Sequence, residues 1–288
     1  MKKPISLFTM IFISVISFAQ APQQNLNVSK PFILGQIDEL YSKILGEKRV
    51  LNIYLPEGYD TKDSVTYPVI YLLDGSANED FIHIVGLVQF NNFSWINQVP
   101  KSIVVGIANV DRIRDFTYPT TIEADKIRNK TSGKSENFIG FIEHELQPFI
   151  EKKYKTNSSK TIIGQSSGGL LATEILFKKP ELFNKYIIIS PGLWWDDGSL
   201  LKQSPKVLRS DFNLPTSVYI AVGKEGLAPC DVPHVMEVDA NLLAEKLKLS
   251  KSKNLQVYFD YLPAEDHATI THQAVFNAFR VLYPFNKK

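Results

Sequence analysis

Gly164-Gln165-Ser166-Ser167-Gly168, with Gly169 directly behind, sets a serine in a G-x-S-x-G pattern. A serine hydroxyl attacks an acyl carbonyl when a base takes its proton and amides hold the oxyanion. The surrounding residues supply a fitting context. Lys160 to Ile163 reads as a short buried strand, and Gly169 to Lys178 reads as a helix. Strand, sharp turn and helix make a nucleophile elbow. In such a turn the serine takes a strained backbone position, and the glycines let strand and helix approach. Ser166 is therefore the candidate nucleophile. The Ser167 amide, at the helix N-terminus, is one candidate oxyanion donor.

A base and an acid must complete this set. The chain has five histidines: His83, His144, His234, His267 and His272. In elbow enzymes the order along the chain is serine, acid, histidine, which favours the last three. His267 lies in Pro263-Ala264-Glu265-Asp266-His267, just past the final expected strand, and is the expected base. His234 precedes a helix and could cap it or line the cleft. His272 falls one helical turn beyond His267. The acid that orients the imidazole should follow the strand Ser217 to Val222. Glu225 comes three residues after that strand, with Asp231 as the alternative and Asp239 further along. Asp266 neighbours the histidine in sequence and is expected to point elsewhere. The second oxyanion amide is expected from Ser76, after the turn Asp74-Gly75.

Those loops need a scaffold to bring them together. Apolar runs mark strands at Val50 to Leu55, Pro68 to Leu73, Ser102 to Ala108, Thr161 to Gly164, Lys185 to Ile189, Ser217 to Val222 and Leu255 to Tyr261. Several are unbroken rather than alternating, as in a parallel sheet covered on both faces. Phe138, Ile139, Phe141, Ile142, Leu146, Phe149 and Ile150 recur at helix spacing, with Asn137 or Ser135 as possible cap. Further helices are expected over about Met236 to Leu249 and Thr271 to Leu282. The fold class is α/β, a mostly parallel central sheet with helices on both faces. Such sheets carry their sites at the carboxyl ends of strands. The segments Ser76 to Asn92 and Gly226 to Val235 read as loops that shape the acyl pocket.

The N-terminus reads as a separate device. Lys2 and Lys3 precede an apolar stretch from Ile5 to Phe18, and Ser17-Phe18-Ala19 is a small-x-small cleavage site. Residues 1–19 are thus expected to be a secretory signal peptide. Residues 20–288 form the folded domain of a periplasmic or secreted protein, with no membrane attachment after cleavage. The single cysteine, Cys230, leaves no internal disulfide. Without Lys2 and Lys3 the 32 basic residues become 30, equal to the 30 acidic ones. That balance gives no electrostatic footprint for nucleic acid. The histidines lack metal-ligand spacing, so no metal and no cofactor is expected. Nothing in the sequence reports on oligomeric state.

The chain resembles the esterase branch of the α/β-hydrolase superfamily that includes the enterochelin and ferri-bacillibactin esterases, feruloyl and acetylxylan esterases, esterase D and the mycolyltransferases. Four segments carry the likeness: Tyr71 to Gly75, Asn109 to Thr117, Gly164 to Gly169 with Ser190-Pro191-Gly192-Leu193-Trp194-Trp195, and Glu265-Asp266-His267. It spans roughly Asp38 to Pro284. The Arg-x-Arg-Asp and Trp-Trp segments are more specific than G-x-S-x-G and point to the siderophore-esterase subgroup. The resemblance implies Ser166 as nucleophile, His267 as base, the Ser76 and Ser167 amides as oxyanion hole, and Glu225 as the acid. It implies a small-molecule ester substrate, such as a siderophore trilactone, cleaved through an acyl-enzyme. A feruloyl or acetyl polysaccharide ester, or transfer to another acceptor, are the alternatives. Arg112 and Arg114 would suit an anionic siderophore through charge-assisted hydrogen bonds. Internal pairing with Asp111 or Asp115 is the competing expectation. Trp194 and Trp195 could stack on an aromatic acyl group, or pack in the core. Thr117-Tyr118-Pro119-Thr120 and Ala268 depart from the family pattern and bear on substrate preference.

Overall fold

The computed structural model describes residues 29–283. The proposed signal peptide therefore lies outside the described residues. Residues 34–283 belong to one compact unit. Among the described residues, no helix is long and apolar enough to cross a membrane.

An eight-stranded sheet forms the spine. Its strands are β1 (Gln36–Ser42), β2 (Glu47–Tyr54), β3 (Tyr67–Leu72), β4 (Ile103–Ile107), β5 (Thr156–Gln165), β6 (Lys185–Ile189), β7 (Thr216–Gly223) and β8 (Leu255–Leu262). The spatial order is β1-β2-β4-β3-β5-β6-β7-β8. Only β2 pairs antiparallel, with β1 on one side and β4 on the other. All pairings from β4 across to β8 are parallel. This is the α/β-hydrolase arrangement, and it sends the loops after β3 to β8 to one edge.

The unbroken apolar runs follow from two-sided burial. Successive side chains in a strand point to opposite faces. Ile162, Tyr186 and Ile188 therefore enter one core, packed with Leu170, Phe141 and Leu243. Ile163, Ile187 and Ile189 enter the other, packed with Val85, Ile270 and Phe279. Each fully buried isoleucine contributes roughly 1.5–3 kcal/mol. The first face is covered by the helices Ser167–Lys178 and Met236–Lys248 and by the helical run from Ser135 to Lys153. The second is covered by the helices Phe81–Asn92 and Ile270–Leu282.

Two segments differ from the sequence expectation. Residues 76–92, read as a loop, are mostly the helix Phe81–Asn92. Its Phe-Ile-His-Ile-Val-Gly-Leu-Val core is apolar on most sides and carries Gly86, so no amphipathic period marks it. β1 was not anticipated because its buried positions are polar. Asp38 and Ser42 point inward, while Ile37 and Tyr41 face solvent. Asp38 is held by Lys153 Nζ and Tyr154 Oη at 2.6 Å each, and Ser42 by Glu145. Polar groups turned inward at an edge strand hide the period-two signal on which strand recognition depends.

Candidate active site

β5 ends at Gln165, and the helix Ser167–Lys178 starts two residues later. Ser166 between them has φ 58° and ψ −119°, a conformation that costs a non-glycine residue of the order of 1–3 kcal/mol. The flanking residues enforce it. A side chain at Gly164 would run into the Gly168 carbonyl. A Cβ at Gly169 would sit 2.9 Å from the Ile189 carbonyl oxygen. The Ser166 amide donates to Ile189 O at 3.0 Å, and its carbonyl accepts from Gly192 N at 2.9 Å and Leu170 N at 2.9 Å. The elbow is thereby fastened to the end of β6. The Ser167 amide is the first of its helix, where no carbonyl of the preceding turn satisfies it.

Glu225 follows β7, and its side chain is 3% exposed. Its Oε2 lies 2.6 Å from Nδ1 of His267, whose ring is 46% exposed. Its Oε1 accepts from the Ser190 hydroxyl and from the Gly223 amide at 3.1 Å. Burial alone pushes this carboxyl up, but hydrogen bonds from His267, Ser190 and Gly223 outweigh it and hold the group below its ordinary value. Glu237 accepts from the Glu225 amide at 2.8 Å and the Gly226 amide at 3.0 Å, which fixes the turn carrying Glu225.

The histidine loop is shaped by Asp266. Its Oδ1 accepts from the Ala268 amide at 2.8 Å and the Thr269 amide at 3.0 Å. These main-chain bonds hold the Asp266 carboxyl below its ordinary value. Gln165 Nε2 donates to the His267 carbonyl at 2.8 Å, which brings the histidine loop against the elbow. Among the described residues no hydrogen bond joins Ser166 Oγ to the His267 ring. Such contacts are often long without substrate and tighten in the reacting complex.

The other candidate residues find different partners. Asp231 pairs with Arg128 at 2.8 Å on the surface. His234 lies between Asp239 at 2.8 Å and Asp197 at 3.3 Å. His272 stacks on His83 with ring centres 5.7 Å apart. Arg114 is bound by Glu47 through Nη1 and Nη2 and by Asp115 through Nε, so its guanidinium serves the scaffold rather than a ligand. Arg112 grips Asp74 through Nε at 2.6 Å and Nη2 at 2.9 Å, and Nη2 also reaches the Gln165 carbonyl at 3.1 Å. Trp195 is core, 2% exposed, with its indole N–H on the Tyr118 carbonyl at 2.8 Å. Trp194 is half-buried and meets Trp195 edge-on. Of the two expectations for these side chains, internal pairing is the one seen for both arginines and core packing the one seen for Trp195, with Asp74 rather than Asp111 or Asp115 as the partner of Arg112. Each has neighbours of complementary chemistry already within reach.

The Ser76 amide also has a partner, Glu79 Oε2 at 3.3 Å, and the same carboxylate takes long contacts from Asn109 Nδ2. Three residues of the site were not anticipated as such. Gln165 is the variable position of the motif. Glu237 looks like any acidic residue in a first helical turn. Ser190 enters the sequence only as the head of the Trp-Trp segment. Among the described residues no group of three or more His, Cys, Asp or Glu is placed to hold a metal ion.

Comparison with known proteins agrees with this architecture. The family described as "Putative esterase" matches residues 42–272. Ferri-bacillibactin esterase BesA of Bacillus subtilis is 28% identical over 258 residues, which are 83% of this chain and 86% of that protein. An IroE-like serine hydrolase from Shewanella oneidensis is 31% identical, with a TM-score of 0.73, over 86% of this chain and 80% of that one. The BES protein from Bacillus cereus is 28% identical with a TM-score of 0.75, over 91% and 100%. The chain therefore belongs to this esterase family of the α/β-hydrolase fold and acts on esters.

Proposed function

We propose that the protein is an exported serine esterase that cleaves siderophore esters, including trilactones, through an acyl-enzyme. Ser166 is the nucleophile, His267 its base, and Glu225 the carboxylate that holds the imidazole. The observation that carries this reading is the 2.6 Å contact of Glu225 Oε2 with His267 Nδ1, in a loop bound to the residue before Ser166. With Nδ1–H engaged by the acid, Nε2 is left to accept the serine proton. Attack on the ester carbonyl forms the tetrahedral intermediate, and its oxyanion is received by the Ser167 amide and the Ser76 amide once Glu79 has moved aside. The imidazolium returns the proton to the leaving alkoxide, and water then repeats the sequence to release the acid.

The substrate class rests on the relatives, named as a ferri-bacillibactin esterase and an IroE-like hydrolase. Export to the periplasm or outside the cell is supported by the Lys2-Lys3, apolar and Ser17-Phe18-Ala19 pattern of a secretory signal peptide. Two experiments test the reading. Ser166→Ala should lose hydrolysis and labelling by a fluorophosphonate probe. A panel of ferric siderophores, feruloyl sugars and short acyl esters, compared by kcat/KM, should rank a siderophore ester first. A feruloyl or acetyl sugar in first place would reassign the substrate, and labelling of Ser166→Ala at the parent rate would reject the nucleophile.

A further inference from the structure

Ser190 is fully buried and has φ 41°, a left-handed backbone that glycine adopts freely and serine only with strain. Its amide donates to the Ala221 carbonyl at 2.7 Å, which fixes the backbone against β7. Two residues later Gly192 donates to the Ser166 carbonyl at 2.9 Å. Between these anchors the Ser190 hydroxyl bonds to Glu225 Oε1. The segment Ser190-Pro191-Gly192 thus touches the elbow with one end and the acid with the other.

A glutamate carboxylate can rotate and offer either oxygen over a broad range of angles. Here Oε1 is held by Ser190 Oγ and the Gly223 amide, so Oε2 is left one direction, toward His267. A glycine at position 190 would relieve the backbone and lack the hydroxyl. The chain carries the strained residue that has it. We propose that Ser190 is a positioning residue for the Ser166, His267 and Glu225 set, and that its hydroxyl aims the Glu225 carboxylate at the imidazole. This rests on the serine-esterase reading above.

Ser190→Gly and Ser190→Ala separate this role from a merely structural one. Both remove the hydroxyl, but only glycine relaxes the backbone. We expect kcat to fall about ten-fold in both, since one hydrogen bond to a charged group is at stake, with KM unchanged. The melting temperature of the glycine variant should equal or exceed that of the alanine variant. A kcat that tracks melting temperature, with Ser190→Gly at the parent rate, would overturn the proposal, as would parent kcat in both. Ser166→Ala run alongside keeps the two ideas apart. If it stays active, the serine-esterase reading fails. If it is dead while both Ser190 variants are fully active, only the role of Ser190 fails.

Discussion

Gln165 and His267 are joined by a single bond from the Gln165 side chain to the His267 carbonyl, 2.8 Å long and spanning 102 positions of the chain. The residue beside the serine therefore holds the loop that carries His267. Gln165→Ala should leave the fold intact, since this contact is exposed, but loosen the histidine loop. We expect kcat to drop roughly ten-fold with little change in melting temperature, because small displacements of a reacting group are costly. Equal kcat in the variant, measured on a short p-nitrophenyl ester, would show that the loop is held by Asp266 alone.

Arg112 ties the Asp74 turn to the Gln165 carbonyl. Lysine cannot reproduce that fork. The pair is partly exposed, so breaking it should cost about 1–2 kcal/mol rather than the larger figure for a fully buried pair. Arg112→Lys should lower the melting temperature and reduce kcat/KM alike for neutral and anionic esters. A loss confined to anionic esters would return Arg112 to direct substrate binding.

Glu79 sits on the Ser76 amide at 3.3 Å. A carboxylate there competes with a developing oxyanion for the same N–H. Glu79→Gln removes the charge and keeps the size. If Ser76 donates to the oxyanion, kcat should rise a few-fold, since a hole donor is worth roughly 2.7–4 kcal/mol when fully engaged. An unchanged or lower kcat would mean that Glu79 only caps the turn.

Acid stability should follow from Glu225 and Asp196. Both are pushed up by burial and pulled further down by hydrogen bonds, Glu225 chiefly from His267 and Asp196 chiefly from the Thr121 amide. A depressed carboxyl binds fewer protons folded than unfolded. Its stabilisation is complete above the unfolded values near about 4 and is lost as pH falls through the folded ones. Urea unfolding should therefore show these two groups' stabilisation being lost below about pH 4. Glu225→Gln should make that decline shallower, and an identical acid slope in the variant would remove Glu225 as a cause.

Much of this site was legible because its signals are local. The elbow needs glycine at positions 164 and 169 for close approach, and that need is written in adjacent residues. His267 and Glu225 became candidates through their offsets to strand ends, since a parallel sheet delivers its loops to one edge. What neighbours what across loops was not legible. Asp231 and Glu225 are equivalent on paper, yet the first lies beside Arg128 and the second under His267. Internal pairing of Arg114 with Asp115 could be expected from adjacency, but its second partner Glu47, 67 positions earlier, carries no sequence mark. The alternation of strands and helices and the G-x-S-x-G turn were determined by sequence alone, because they depend on short-range periodicity and backbone sterics. Which carboxylate meets which cation, and which hydroxyl holds Glu225, was decided only in the tertiary structure, where distant segments compete for the same few ångströms of contact.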